Sequence, residues 1–136
     1  MEAYYNKGIA LDKLGKFEEA LIAYDLAIKY KSDYSDAYIN KGNALYGLRK
    51  FEEAVKAFDL AIKLNPELAL AYYNKGNALY DLRKFEEAIA AYNLAIKYQP
   101  DLVQAYYNKG VALEKLGRKK ESDAAFTMAK KIENKS

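Results

Sequence analysis

The chain has 136 residues, a formal net charge of +3, 51% apolar residues, and neither Cys nor His. This admits one folded domain or a short repeat array. It excludes a disulfide framework, a thiolate metal site and the commonest general base, and so small a charge gives no reason to expect nucleic acid or an anionic membrane as partner. No apolar run nears the roughly 18 residues that span a bilayer, and no signal-peptide pattern opens the chain. A cytoplasmic location is therefore expected. The chain opens inside a helical pattern, as a piece of a longer protein would.

The first predicted element runs from about residue 2 to 14. Tyr4, Gly8 and Leu11 lie on one face of it, at helical spacing. A second helix is expected over 17–30, with Ala20, Tyr24, Ala27 and Ile28 on one face and Glu18 at its positive dipole end. Gly15, between the two, suits a left-handed helix end.

The same pair then recurs. Tyr4-Tyr5-Asn6-Lys7-Gly8 returns at 72–76 and 106–110, and at 38–42 with Ile39 for the second Tyr, an offset of 34 each time, and Lys16-Phe17-Glu18-Glu19-Ala20 returns at 50–54 and 84–88. Four units fill the chain as a single repeat domain: 1–34, 35–68, 69–102 and 103–136. Arg49 and Arg83 occupy the Gly15 column, where a left-handed backbone would strain them. Asn65-Pro66 and Gln99-Pro100 mark the passages between units, with each Pro expected in a first helical turn. Gly8, Gly42, Gly76 and Gly110 stand where helices must approach closely. Ala20, Ala54 and Ala88 are expected to face them, with the tyrosines of column 4 and the aromatics of column 24 filling the rest.

These signatures resemble the tetratricopeptide repeat (TPR) family, with Tyr where that family often has Trp, and the frame covers the whole chain. The resemblance implies an all-α, right-handed superhelical solenoid of about eight helices in antiparallel pairs, the first helices lining a concave groove. It also implies a protein-binding scaffold.

The last unit breaks the pattern. Lys119 replaces the Phe column, Asp123 the aliphatic column of Leu21, Val55 and Ile89, and Lys130 the Ile column. All three changes fall where a further unit would pack, which reads as a solvating cap. The first unit has no such device, because Ala3 and Ala10 belong to the face that would meet a preceding unit. That leaves self-association through the first repeat as an alternative role.

On a helical wheel the groove side of the first helix carries Asn6, Asn40, Asn74 and Asn108 in one column, with Asn43 and Asn77 one turn on. Asn is a mediocre helix former, so propensity does not select it. Its amide can take a backbone N–H and C=O together. This resembles the asparagine ladder with which some family members hold peptides by their main chain; the alternative is a duplicated residue that bonds within the scaffold. Tyr5, Tyr73, Tyr107, Tyr46 and Tyr80 lie around the ladder, and amphipathic aromatics suit recognition. Glu2, Asp12, Asp36, Asp81 and Glu114 on that side outnumber Lys13 and Lys115, so a neutral or basic partner segment is expected. Co-chaperone members clamp a terminal carboxylate with basic residues. Here those columns hold Tyr5, Leu70 and Asn74, or Ile39, Gln104 and Asn108 in the next frame, so the clamp is not carried over. Lys7, Lys41, Lys75 and Lys109 fall on the packed side, where stems pack and ammonium groups reach outward, with Asp25 and Asp59 as candidate partners. Asn134-Lys135-Ser136 spells a glycosylation acceptor and is read as chance. No nucleophile–base pair, phosphate loop or metal cluster can be assembled, so no enzymatic activity, cofactor or metal is expected.

Overall fold

The computed structural model describes residues 2–135. Among them are eight helices: α1 (Glu2–Lys13), α2 (Phe17–Tyr30), α3 (Ser35–Gly47), α4 (Phe51–Leu64), α5 (Ala69–Asp81), α6 (Phe85–Tyr98), α7 (Val103–Lys115) and α8 (Lys119–Glu133). They group into two compact units, Met1–Pro66 and Glu67–Ser136, each built from two consecutive pairs. Within a pair, the linkers 14–16, 48–50, 82–84 and 116–118 allow only an antiparallel return. None of the helices is long and apolar enough to cross a membrane.

The tight returns follow from backbone chemistry. At the end of α1 the Lys16 N–H donates to the Leu11 carbonyl and the Gly15 N–H to that of Asp12, both at 2.9 Å, satisfying carbonyls the helix leaves open. That closure needs a left-handed residue, and Gly15 and Gly117 supply it at φ 75° and 72°. Arg49 and Arg83 do the same at φ 62° and 63° despite carrying side chains. Their guanidinium groups lie 5.3 and 5.6 Å from the ring centres of Phe51 and Phe85, a contact that offsets part of the strain.

The prolines differ from expectation. Pro66 and Pro100 sit in turns ahead of α5 and α7 rather than in their first helical turns. Around Pro100 the Leu102 N–H donates to the Gln99 carbonyl at 3.1 Å, so the fixed φ of Pro serves the second position of a β-turn. Leu14 falls outside α1, in the return, and is 70% exposed.

Packing within each pair also corrects one expectation. The glycine column faces the aromatic column, not the alanines. A Cβ on Gly8 would lie 2.5 Å from the Tyr24 ring, one on Gly42 2.5 Å from Phe58, one on Gly76 2.6 Å from Tyr92 and one on Gly110 2.6 Å from Phe126. The rings lie across the first helix because it offers bare backbone there. Ala20 instead joins Tyr24 and Ala44 in a cluster flanked by Phe17 and Leu21, and so serves the packing of α2 on α3. Two of the column-4 tyrosines pack toward the ends of the second helices of their own repeats: Tyr4 stacks on Tyr30 and Tyr72 on Tyr98, each at 5.7 Å.

The charged columns of α8 are exposed, and Lys119 and Asp123 approach each other at 3.9 Å along the helix. Their counterparts do otherwise. Phe17 lies against Gly47 of α3, and Ile89 is buried with Ala112 and Leu113 of α7. The Phe and aliphatic columns that α8 replaces are thus ones that pack on the following helix in earlier repeats.

Candidate peptide-binding face

In the first unit, Asn40 on α3 is half-buried and its Nδ2 donates to the Tyr5 hydroxyl of α1 at 2.7 Å. Tyr5 is itself held between rings, 4.8 Å from Tyr34 and 6.2 Å from Tyr24. Burial, with Asp36 and Tyr34 nearby, pushes its phenol above the ordinary tyrosine value, and the Asn40 bond opposes that. Asn6 and Asn43 are exposed. Tyr46 is half-buried, edge-on to Phe51 at 5.2 Å.

The second unit repeats the link and extends it. Asn108 Nδ2 donates to the Tyr73 hydroxyl and to Asn77 Oδ1, each at 3.0 Å. Asn77 Oδ1 also accepts the hydroxyl of buried Tyr92 at 2.6 Å. Tyr73, Asn77, Asn108 and Tyr92 therefore form one network on α5, α6 and α7. Asn74 is half-buried on α5. Tyr80 meets Phe85 edge-on at 5.2 Å. Tyr107 leans on Phe126 and donates to Glu133 at 2.6 Å, a bond that raises its phenol above the ordinary value.

The candidate residues thus divide into groups. Tyr5 with Asn40, and Tyr73 with Asn77 and Asn108, are brought together. Tyr46, Tyr80 and Tyr107 pair with second-helix residues of their own repeats. The tyrosine–asparagine bonds span 35 positions, one repeat plus one residue, and Ile39 interrupts the tyrosine column. The Nδ2 groups of Asn40 and Asn108 are thus engaged with tyrosine hydroxyls, which restrains both amides, while the Asn77 carbonyl oxygen is occupied by Tyr92 and Asn108.

Sequence reasoning missed two sites. Asp12, assigned to the groove side, accepts the hydroxyl of fully buried Tyr24 at 2.5 Å. Its carboxyl is pushed above the ordinary value by burial, against the opposing effect of the Tyr24 bond. Ser122 is fully buried and its Oγ has no hydrogen-bond partner. The signal was available there, since Ser122 stands in the Ala20, Ala54, Ala88 column. Lys41 meets Asp25 at 2.8 Å, as its place on the packed side predicted. Among the described residues, no group of three or more His, Cys, Asp or Glu could hold a metal.

A tetratricopeptide repeat family model matches residues 39–101 and 73–134, and a second of the same description matches 2–34. The chain belongs to the tetratricopeptide repeat family. No curated protein matches it. Among solved structures, this tetratricopeptide repeat chain is similar to MamA: 27% identity, TM-score 0.95, over 98% of this chain and 78% of that one. MamA from Desulfovibrio magneticus gives 24% identity and TM-score 0.92, over 99% and 76%. The first TPR of Spaghetti (RPAP3), bound to the HSP90 peptide SRMEEVD, gives 27% identity and TM-score 0.83, over 85% and 91%. The fold is accordingly the all-α repeat solenoid of the tetratricopeptide class, and the chain is of the protein-interaction type.

Proposed function

We propose that this chain is a scaffold that holds a segment of a partner protein by its main chain, on the first-helix face of its repeats. The observation that carries the reading is the restraint of the asparagine column by tyrosine hydroxyls, at Asn40 through Tyr5 and at Asn108 through Tyr73. An amide already held in place loses little further freedom when a peptide binds, and pre-organisation of this kind raises affinity. Asn6, Asn43 and Asn74 add amides of the same type, and Asn77 ties the second-unit network together. Tyr46, Tyr80 and Tyr107 add amphipathic surface.

Support for a peptide ligand comes from the family and from the likeness to a TPR bound to a peptide. That peptide, SRMEEVD, is acidic. The acids beside the asparagine column here favour a neutral or basic segment instead, and Leu70 and Asn74, or Gln104 and Asn108, leave a terminal carboxylate without a cation.

The test is titration with groove-binding peptides of varied side-chain sequence, found on a peptide array. Asn74→Ala should weaken all of them by about 0.5–1.5 kcal/mol, the net worth of one hydrogen bond. Its melting temperature should hold, because Ala is the better helix former. Tyr73→Ala also frees the Asn108 amide, so it should weaken all of them, and most strongly those with an apolar group beside it. Unchanged affinity for every peptide together with a lowered melting temperature would make Asn74 a scaffold residue and end the ladder reading.

A further inference from the structure

The two units make the same tyrosine–amide link with different flanking residues. Tyr5 with Asn40 and Tyr73 with Asn108 stand in the same columns, bonded at 2.7 and 3.0 Å. The columns that hold Glu2, Tyr34 and Asp36 in the first unit hold Leu70, Leu102 and Gln104 in the second. In the first unit the Tyr5 and Tyr34 rings lie 4.8 Å apart, tilted by 36°. Glu2 and Asp36 are exposed, and among the described residues neither is paired with a lysine or arginine. Burial, with both acids nearby, pushes the Tyr34 phenol above the ordinary tyrosine value. One cation of the chain already uses this place. Lys31 Nζ lies 5.0 Å from the centre of the Tyr34 ring, within reach of a cation–π contact. Gln99 stands in that column of the second unit. An aromatic face beside two carboxylates attracts positive charge, and a single ammonium group does not balance two acids.

We infer that Tyr34, Asp36 and Glu2 receive a cationic side chain, arginine above all, from the segment held at Asn40. This rests on the peptide-binding reading above and adds to it where on the ligand a positive charge must fall. A guanidinium group is planar, so it stacks on a ring and pairs with a carboxylate in one pose. Lys31 covers the ring in the free chain and yields it to the ligand. The second unit has neither the ring nor the acids in these columns. Leu70, 53% exposed there, suits an uncharged residue instead.

The experiment uses the whole chain and an array of acetylated, amidated peptides. Each is scanned with arginine and with citrulline, its uncharged isostere, at every position, and affinities are read by fluorescence anisotropy beside melting curves for each variant. At one position arginine should bind about tenfold more tightly than citrulline, the joint range of an exposed cation–π contact and an exposed ion pair. Added salt should shrink that ratio. Tyr34→Leu and Asp36→Gln, which install the second unit's residues, should each lower it by about threefold. Lys31→Gln should raise affinity for the arginine peptides by about twofold, because a competing cation is gone. Lys16→Gln, the same change of charge at the far end of α2, should leave affinity unchanged. Peptides that bind without preferring arginine anywhere, or a preference that Tyr34→Leu and Asp36→Gln both spare, overturn the inference and leave the main-chain reading standing. Weaker binding with Lys31→Gln, or an equal gain with Lys16→Gln, also overturns it. An arginine preference with affinities indifferent to Asn74→Ala upholds the cation site and ends the ladder reading. Absence of any bound peptide ends both.

Discussion

Gly42→Ala tests whether the approach of ring to backbone, rather than helical propensity, explains the glycine column. The new Cβ would lie 2.5, 2.7 and 2.8 Å from three ring atoms of Phe58, which is itself completely buried. Carbon atoms pack best at about 3.5–4.0 Å, so the ring must retreat by about 1 Å into a full core. Overpacking of this kind costs about 1–3 kcal/mol, and exchanging Gly for Ala within a helix returns up to about 1 kcal/mol. The middle of the first range less the whole of the second leaves a net loss of about 1 kcal/mol, read as a lowered urea midpoint by far-UV circular dichroism. Phe58→Leu removes the offending ring atoms, so the double variant should be more stable than the two single losses imply, by about 1 kcal/mol. If Gly42→Ala matches or exceeds the wild type, or the two changes simply add, the close-approach argument is wrong.

Two further changes bear on stability. Ser122→Ala removes a buried hydroxyl without a partner and restores the residue of its column; it should raise stability by about 1–2 kcal/mol in the same titration. No gain would mean the hydroxyl is satisfied in solution. Asp12→Asn keeps an oxygen for the Tyr24 hydroxyl, as Asn77 provides one for Tyr92. Because burial raises the folded Asp12 carboxyl above its unfolded value, the folded chain holds that proton more tightly. This acid therefore detracts from stability at neutral pH, and the deficit closes as pH falls through its folded value. Asp12→Asn should melt higher than the wild type near pH 7 and lose that advantage near pH 4, about the ordinary carboxylate value. An advantage independent of pH would put the cause elsewhere.

The repeat frame was legible because every column is written four times. Gly15, Arg49, Arg83 and Gly117 could be assigned to one backbone state from their shared column alone, and the charged columns of α8 stood out against three apolar precedents. What the frame hid was which column touches which. A wheel places Gly8 and Ala20 on facing sides, but whether the ring of Tyr24 or the methyl of Ala20 crosses the glycine depends on how far each side chain reaches. The Tyr5–Asn40 bond joins different repeats at an offset of 35, so no single-helix pattern announces it. Asp12 was misplaced for a related reason: it lies at the edge between two faces, and the buried Tyr24 hydroxyl decides which it joins. Lys41 with Asp25 was readable because a cation on a packed face needs an anion nearby.

The Lys41–Asp25 contact also gives the array a direction of growth by copying. The lysine of column 7 is present in all four repeats, while column 25 runs Asp25, Asp59, Asn93, Thr127. A repeat copied with the packing of the second on the first would set its own lysine against its neighbour's column 25. A tandem duplication of the first repeat would therefore supply each new lysine with a carboxylate, whereas duplication of the last would offer it a threonine hydroxyl, with Lys119 and Asp123 in the columns that should be apolar. Insertions near the first two repeats should be tolerated and those after the fourth resisted, so the sequence carries a built-in rule for the order in which its repeats can be shuffled.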